Sequence, residues 1–220
     1  MNSLEHSYEY KIETNIDCEE TLTTKIHQSI LLQSEQEDST ASFNWNNYMD
    51  WQNGVDHYEI WISIDSGEYR LFENNSTLQF TYSDQNAGFD HCFEIKAFEK
   101  NGNNSMSVSN TSCVAFVPKI KTYNIITPNK DQFNEYFTID NIEHYPNSRL
   151  SILNRWGEVI YETTGYQNNW NGKVNGKTAA SGTYYFDLKL NEPRNEIKTI
   201  KDEISVLDGK IQAYVKEILK

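Results

Sequence analysis

The sequence predicts an all-β protein built from two consecutive antiparallel β-sandwich domains. Two observations support this fold class. Short runs with alternating apolar and polar residues recur along the chain, and turns rich in Asn, Asp, Gly and Ser separate them. The 220 residues also include 5 Trp, 14 Tyr and 10 Phe, which supply enough apolar volume for two cores.

The charge of the chain changes near Pro118. Residues 1–118 contain 5 Lys and Arg against 19 Asp and Glu, whereas residues 119–201 contain 11 against 9. The acidic first half argues against nucleic acid as a partner, because phosphate recognition needs a basic surface. We therefore expect a domain boundary at residue 118.

The first predicted domain covers residues 25–118. Seven strands are predicted in it, at 26–32, 40–46, 56–64, 68–73, 77–82, 90–98 and 106–116. Segments 43–45 (FNW), 55–61 (VDHYEIW) and 92–97 (CFEIKA) resemble a fibronectin type III domain. That resemblance implies that Trp45, Tyr58 and Ile60 are packing residues.

A weak repeat precedes this domain. Residues 8–14 (YEYKIET) are similar to residues 92–98 (CFEIKAF), so we expect residues 1–24 to form the closing hairpin of a preceding fibronectin-like domain. The first residues show no basic and apolar pattern of a signal peptide, which suggests a C-terminal piece of a larger exported protein.

Two of the three cysteines are candidates for a disulfide bond. Cys92 and Cys113 lie at equal distances from the predicted hairpin turn at 102–103, and residues so placed have Cβ atoms ~4.5–5.5 Å apart. The alternative is a pair of small buried apolar side chains. We predict the disulfide, which also fits an oxidising compartment, and find no partner for Cys18.

Four motifs follow one another in the last third of the chain. They are TPN at 127–129 with Asp131 and Asn134 after it, NRWG at 154–157, NNWNG at 168–172 and SGTYYF at 181–186. In this order they resemble the gliding-motility-associated C-terminal domain, the type B sorting domain of the type IX secretion system, over residues 119–207. Lys130 and Gln132 stand where that family prefers glycine.

The resemblance implies export through the periplasm and outer membrane to the cell surface or beyond, with outer-membrane components of the type IX translocon as partners. It assigns the sorting motif to Pro128, Asn129, Asp131, Asn134, Asn154, Arg155, Trp156, Gly157, Trp170, Gly172, Gly182, Tyr184 and Tyr185. Without the resemblance, the same residues would be read as turn formers and core aromatics of an ordinary sandwich.

No catalytic motif and no His or Cys spacing typical of a metal site occurs in the sequence, so we do not predict an enzyme or a cofactor. Asn129, Asp131, Asn134 and Glu135 do concentrate oxygen ligands of the kind that Ca²⁺ prefers. Turn capping is the better explanation of this cluster, and a calcium site is the lesser alternative.

Aromatic residues in and near the 46–54 loop suggest a second function. Tyr48, Trp51 and Tyr69 could form a patch that binds glycans or other cell-surface proteins, as in a carbohydrate-binding accessory module of a secreted enzyme. Packing of these rings against their own domain is the preferred interpretation. The primary hypothesis is a non-catalytic surface protein whose fibronectin-like domain is a spacer or adhesive stalk.

Residues 208–220 form a predicted amphipathic tail. Ile211, Tyr214, Val215 and Ile218 have helical spacing, which predicts a short C-terminal helix. A heptad seam running from Ile197 to Ile218 is the alternative. No apolar run approaches the ~20 residues that a membrane-spanning helix needs.

Overall fold

The computed structural model describes residues 6–14, 22–101, 105–191 and 197–207. The chain divides into two compact units, Met1–Pro118 and Lys119–Lys220. Within the described ranges the regular elements are β-strands and one short 3₁₀ helix, which confirms the all-β class. The predicted C-terminal helical tail receives no support, since residues 208–220 lie outside the described residues, as does Cys18.

The first unit opens with a two-part antiparallel hairpin. Strand β1 (Glu9–Tyr10) pairs with β4 (His27–Gln28), and β2 (Glu13–Thr14) pairs with β3 (Leu22–Thr23). The Tyr8 N–H donates to Ser29 Oγ and the Ser29 N–H donates to the Tyr8 carbonyl oxygen, both at 2.8 Å. These bonds extend the hairpin to residue 29, which corrects the strand predicted at 26–32.

The remaining strands of this unit form a β-sandwich. They are β5 (Leu32–Glu37), β6 (Thr40–Trp45), β7 (Val55–Ile64), β8 (Arg70–Asn75), β9 (Gln79–Tyr82), β10 (Asp90–Glu99), β11 (Met106–Val108) and β12 (Ser112–Ala115). One sheet has the order β5-β6-β9, and the other has the order β8-β7-β10 with β11 and β12 both on the far side of β10.

Because β11 and β12 pair with successive parts of β10 and share one position in the sheet, the two sheets have three and four strand positions, an arrangement that resembles a fibronectin type III domain. Alternate residues of β6, β7 and β10 point into the space between the sheets, because side chains alternate along a strand. Trp45, Tyr58 and Ile60 are all buried there, which confirms their predicted packing roles. The Trp45 and Tyr58 rings meet edge-on, with centroids 5.6 Å apart.

The predicted disulfide is present. Cys92 on β10 lies directly opposite Cys113 on β12, and their sulfur atoms are 2.09 Å apart. Nearer the turn, Ala97 pairs with Ser107, and this register differs by one residue from that of the Cys92–Cys113 pair. The segment between β11 and β12 therefore accommodates one extra residue. The bridge lies on the outward face of its sheet, since Cys113 is exposed while the neighbouring Val114 is buried.

The second unit is built on one five-stranded sheet. Its strands are β13 (Lys121–Thr122), β14 (Ile125–Ile126), β15 (Ile139–Asp140), β16 (Arg149–Leu153), β17 (Val159–Thr164), β18 (Lys173–Val174), β19 (Lys177–Thr178), β20 (Gly182–Asn191) and β21 (Ile197–Val206), and the 3₁₀ helix is Ile142–His144. The sheet order is β14-β21-β20-β16-β17, while β13–β15 and β18–β19 form separate two-stranded ribbons.

Two features of this unit depart from the predicted antiparallel sandwich. Strand β14 pairs with β21 in parallel, because the Ser205 N–H donates to the Asn124 carbonyl at 2.7 Å and the Leu207 N–H to the Ile126 carbonyl at 3.0 Å. The sheet is also covered by short ribbons and loops, where a sandwich would have a second large sheet.

The core of the second unit lies against one face of its main sheet. Leu150, Ile152, Phe186, Leu188 and Ile204 are buried on that face. Phe137, Tyr145, Tyr166 and Trp170 cover them from the loop layer. The opposite face presents Arg149, Ser151, Leu153 and Tyr185 outward, as the alternation of side chains along β16 and β20 requires.

Candidate functional site

Trp170 is the centre of the loop layer in the second unit. Its side chain is 2% exposed, and its indole N–H donates to the Lys173 carbonyl oxygen at 3.2 Å. The ring lies near Tyr161 and Tyr184, with centroid distances of 6.1 and 6.5 Å. Because the polar atom of the indole is satisfied within a buried site, Trp170 is a structural plug of the kind the sequence suggested.

The loop carrying Trp170 is tied to the segment before β15. The Tyr166 hydroxyl donates to the Phe137 carbonyl oxygen and accepts from the Trp170 N–H, and the Phe137 N–H donates to the Trp170 carbonyl at 2.9 Å. Asn168 accepts from the Ile139 N–H at 2.8 Å and donates to its carbonyl oxygen at 3.2 Å. Burial raises the pKa of the Tyr166 hydroxyl, which therefore remains a proton donor at physiological pH.

Sequence reasoning missed Tyr166 and Asn168, although a signal for them exists. Tyr166, Asn168, Trp170 and Gly172 alternate at every second position. Three of them are buried and Asn168 is half-buried, so this loop has the period-two pattern of a strand. The Asn168 side chain hydrogen-bonds the backbone of Ile139 in β15. Alternation of apolar and polar residues predicts only backbone pairing between strands, so it does not reveal this contact.

Gly172 lies where the loop meets β14 and β21. Its φ is +70°, and a Cβ atom there would stand 3.3 Å from Ile126 Cδ1 and 3.4 Å from Pro128 Cγ. A side chain at this position would be strained in conformation and crowded in space. Gly172 and Pro128 are therefore packed against each other, which gives both motif residues a role in the fold.

The segment after Pro128 is a series of turns. Asn129 Oδ1 accepts from the Asp131 N–H at 3.0 Å, Asp131 Oδ1 accepts from the Phe133 N–H at 2.9 Å, and the Asn134 carbonyl accepts from the Thr127 N–H at 2.7 Å. In the first two bonds a short polar side chain bonds the turning backbone, and the third bond joins two backbone groups.

Three residues of these turns adopt left-handed backbone conformations, and besides Asn134, a residue type that tolerates them, they include two that do so less readily. Lys130 has a φ of +67° and Gln132 a φ of +73°. They are the two positions at which the resembled family prefers glycine, so the preference follows from backbone geometry at this turn.

The oxygen-rich cluster does not assemble into a recognisable metal site. Asn129 and Asp131 use side-chain oxygens as turn acceptors, and the Asn129 amide donates to Asp131 Oδ2 at 3.2 Å. Glu135 is half-buried, and no group of three or more His, Cys, Asp or Glu side chains suited to a metal ion occurs among the residues the structure describes. The calcium site remains an untested expectation.

The NRWG motif forms the turn between β16 and β17. Asn154 Oδ1 accepts from the N–H groups of Trp156 and Glu158, at 2.9 and 3.0 Å, and its amide donates to Glu158 Oε2 at 2.8 Å. Gly157 completes the turn with a φ of +82°. Asn154 and Gly157 thus fix the backbone that presents the two residues between them.

Those two residues are presented to solvent. Trp156 is 76% exposed, and the Arg155 guanidinium carbon lies 5.3 Å from the centroid of its ring. Three residues form a row across the strands on the outward face of the sheet, near this turn. Leu153 on β16 lies between Val159 on β17 and Tyr185 on β20. Val159 is 55% exposed and Tyr185 48%, so the turn and the row expose apolar side chains on a folded surface.

The last motif supplies one structural and one exposed tyrosine. Tyr184 donates to the Ala180 carbonyl oxygen at 2.9 Å and faces Trp170, whereas Tyr185 belongs to the exposed row. Arg155 Nη2 lies 3.5 Å from the position that a Cβ atom on Gly182 would occupy, an ordinary van der Waals distance, so the arginine side chain reaches the start of β20.

The aromatic residues proposed for glycan binding do not form an open patch. Tyr48 is 6% exposed, and its ring packs on Trp51 with centroids 4.2 Å apart. The Tyr48 hydroxyl bonds His27 Nδ1 at 3.0 Å and lies 3.3 Å from the Tyr10 hydroxyl. Tyr69 is half-buried against Thr111. Tyr48 of the 46–54 loop therefore contacts Tyr10 and His27 of the N-terminal hairpin, so this ring packs within its own unit.

Comparison with known families gives a match within the second unit. Residues 120–202 match the CHU_C family, described as the Type IX secretion signal domain. The matched segment contains all the sorting-motif residues named from the sequence. The comparison with curated proteins gives no match.

Solved structures with similar folds include fibronectin type III domains. The FN1–FN3 domains of chicken CNTN1 are 12% identical, with a TM-score of 0.38 over 80% of this chain and 65% of that chain. A two-domain fibronectin type III segment of chicken tenascin is 16% identical, with a TM-score of 0.35 over 79% of this chain and 97% of that chain.

Pectate lyase PelI from Erwinia chrysanthemi, in complex with tetragalacturonic acid, is 18% identical, with a TM-score of 0.34 over 39% of this chain. This chain spans only 28% of the length of that lyase. Because these TM-scores are low, the solved structures do not carry the fibronectin-like assignment, which rests on the strand order of the first unit.

Among the described residues, no helix has the length and apolar character needed to cross a membrane. The Cys92–Cys113 bridge is of a kind that persists in oxidising compartments. The match of residues 120–202 to the Type IX secretion signal domain indicates that this protein, with its fibronectin type III-like domain, is exported to the cell surface or the extracellular space.

Proposed function

We propose that the second unit directs export by binding outer-membrane components of the type IX translocon in its folded state. The fibronectin-like unit is then a non-catalytic spacer or adhesive stalk of a secreted cell-surface protein. The observation that carries the proposal is the family match over residues 120–202. Both kinds of domain are typically non-catalytic.

The distribution of the motif residues supports recognition of a folded domain. Trp170, Gly172 and Tyr184 pack or bond within the loop layer, while Asn154 and Asn129 fix turns. These contacts depend on segments far apart in the sequence. An unfolded export signal would have no need of such contacts, so we infer that the secretion system reads a surface that only the folded unit presents.

The first unit has properties suited to a spacer. A disulfide joins β10 to β12, and aromatic rings from both sheets fill the core, including Phe43, Phe80 and Phe93. The excess of acidic residues in 1–118 keeps the surface well hydrated. These features favour an independently stable module that tolerates the extracellular environment.

Export of a reporter tests the proposal. A periplasmically exported reporter would be fused to the whole chain, 1–220, or to residues 1–118, and produced in a bacterium with type IX secretion. We expect the first fusion to reach the surface, where added protease cleaves it, and the second to stay in the periplasm. Equal surface exposure of both fusions would remove the sorting role from the second unit.

A further inference from the structure

The turn between β16 and β17 carries the most exposed tryptophan of the chain. All five tryptophans lie in described ranges: Trp45 and Trp170 are buried, Trp51 and Trp61 are half-buried, and Trp156 is 76% exposed. Half-buried Trp61 has partners, since it donates to Glu59 at 2.7 Å and Lys96 lies 3.4 Å above its ring. Among the described residues, the one cation or aromatic ring placed against Trp156 is the Arg155 guanidinium, 5.3 Å from its ring centroid. The fold of the second unit does not use this indole in its core.

This exposed ring is held on a defined backbone. Three hydrogen bonds of the Asn154 side chain, at 2.8 to 3.0 Å, close the turn together with the bond from the Gly157 N–H to the Asn154 carbonyl at 2.9 Å. A large aromatic side chain on an ordered turn loses little backbone freedom when it binds, so binding there costs less conformational entropy than on a loose loop.

Charge adds a second requirement on the partner. Arg155 forms no ion pair with any residue that the structure describes, in contrast to Arg149 on the same sheet, which pairs with Glu162 at 2.8 Å. A guanidinium beside an exposed indole matches a partner that offers a carboxylate next to an apolar cleft. Tryptophan and arginine are also the residues that most often dominate binding energy at protein interfaces.

The neighbouring sheet face extends the apolar area. The row of Val159, Leu153 and Tyr185 continues onto β21 at Glu203, which lies opposite Tyr185. A shallow cavity of about 420 Å³ lies beside this row, lined in part by Leu153, Tyr185 and Lys201. The surface therefore has an apolar middle and a charged border, as protein-binding surfaces commonly do.

We propose that Arg155, Trp156, Val159, Leu153 and Tyr185, here named the Trp156 surface, are the contact by which an outer-membrane component of the secretion system holds the exported protein. Trp156 enters an apolar cleft of that component, and Arg155 pairs with a carboxylate at its rim. This inference rests on the proposed sorting function and assigns the contact residues for it.

The test uses the whole chain fused to a periplasmically exported reporter in a bacterium with type IX secretion. The variants are Trp156→Ala and Arg155→Glu. The matched control is Tyr136→Ala, which removes another exposed aromatic ring of the same unit. We expect each variant on the Trp156 surface to lower the surface-exposed fraction at least tenfold, and the control to be exported like the parent. Thermal unfolding of the three purified variants should match that of the parent chain.

The outcomes separate this inference from the proposed function. If the parent is exported and Trp156→Ala is exported equally well, the Trp156 surface is not the contact, although the sorting function stands. If the parent itself stays in the periplasm, the sorting function fails and the inference fails with it. Should Trp156→Ala lower the unfolding temperature, Arg155→Glu decides alone. A variant that reaches the surface normally but loses self-association of the purified chain would assign the surface to a second copy and contradict the proposal.

Discussion

Trp156 and Trp170 belong to neighbouring motifs of one unit but have opposite environments. The side chain of Trp170 is 2% exposed and that of Trp156 is 76% exposed. Their residue type alone could not separate them, because both have an Asn and a Gly within two residues in the sequence. The difference arises from tertiary contacts: Tyr166 and Phe137 enclose Trp170, while the Asn154 turn projects Trp156 from the end of the sheet.

Replacing Trp170 with alanine should largely unfold the second unit. Truncating a buried tryptophan typically costs about 3–5 kcal/mol. A small domain has a total stability of about 5–15 kcal/mol, so the loss is a large share of it. Denaturant melts of the whole chain, followed by circular dichroism, should show one transition moved to low denaturant and the transition of the fibronectin-like unit unchanged.

The matched control for that variant is Trp156→Ala, which removes the same side chain from an exposed site. Its melt should coincide with that of the parent. A Trp170→Ala chain that also melts like the parent would contradict the burial described here. Export of Trp170→Ala should fail, since the unit that the secretion system reads is no longer folded.

Replacing Gln132 with glycine should stabilise the second unit. Gln132 has a φ of +73°, a conformation that costs a non-glycine residue ~1 kcal/mol or more. Part of this gain is lost because glycine makes the unfolded chain more flexible, so we expect a net gain of about 0.5 kcal/mol. Gln167→Gly is the control: Gln167 is exposed and is not among the residues with positive φ, so its replacement should destabilise the unit. The free energies of unfolding from urea melts check both variants, and equal effects would contradict the explanation.

At the scale of elements, the strands with the clearest alternation were predicted well. The predicted strand at 40–46 is observed at Thr40–Trp45, and that at 56–64 at Val55–Ile64. Prediction failed where pairing depends on distant residues. Strand β14 has only two residues, and its parallel pairing is decided by β21, about 80 residues later in the chain. The docking of the hairpin was likewise invisible, since it depends on Tyr48 meeting Tyr10 and His27.

The disulfide between β10 and β12 should stabilise only the first unit. It closes a loop with a sequence separation of 21 residues, which corresponds to ~3 kcal/mol in the chain-entropy description. We expect the Cys92→Ser, Cys113→Ser double variant to lose about that amount in the transition of the fibronectin-like unit. The unfolding of the second unit serves as the internal control and should not move. Because both sulfurs lie on the outward face, the double variant should still fold.

Mass spectrometry of the oxidised parent provides the direct check on the bridge. The peptides that contain Cys92 and Cys113 should be joined before reduction and separate after it. Two free thiols in protein folded under oxidising conditions would contradict the strand register of β10 and β12 as well as the bridge.

The motif residues of the second unit divide into those that build its fold and those that its surface presents. Motif order in the sequence was sufficient to predict the family match at residues 120–202, because four short motifs in one order are far more specific than any one alone. It was not sufficient to distinguish the motif residues that build the domain from those that its surface presents. Burial and hydrogen bonding in the structure make that distinction. Asn154, Trp170 and Gly172 build the domain, whereas its surface presents Arg155, Trp156 and Tyr185.

If the second unit is a signal read by the type IX system, surface export of a fused reporter must depend on the translocon, and a comparison of two hosts can show this. The reporter fused to residues 1–220 would be produced in a bacterium with an intact type IX translocon and in the same strain lacking it. Surface exposure would be measured by protease cleavage on whole cells. We predict cleavage at the surface in the intact host and an intact periplasmic reporter in the deficient host. Surface exposure in both hosts, or in neither, would contradict the claim.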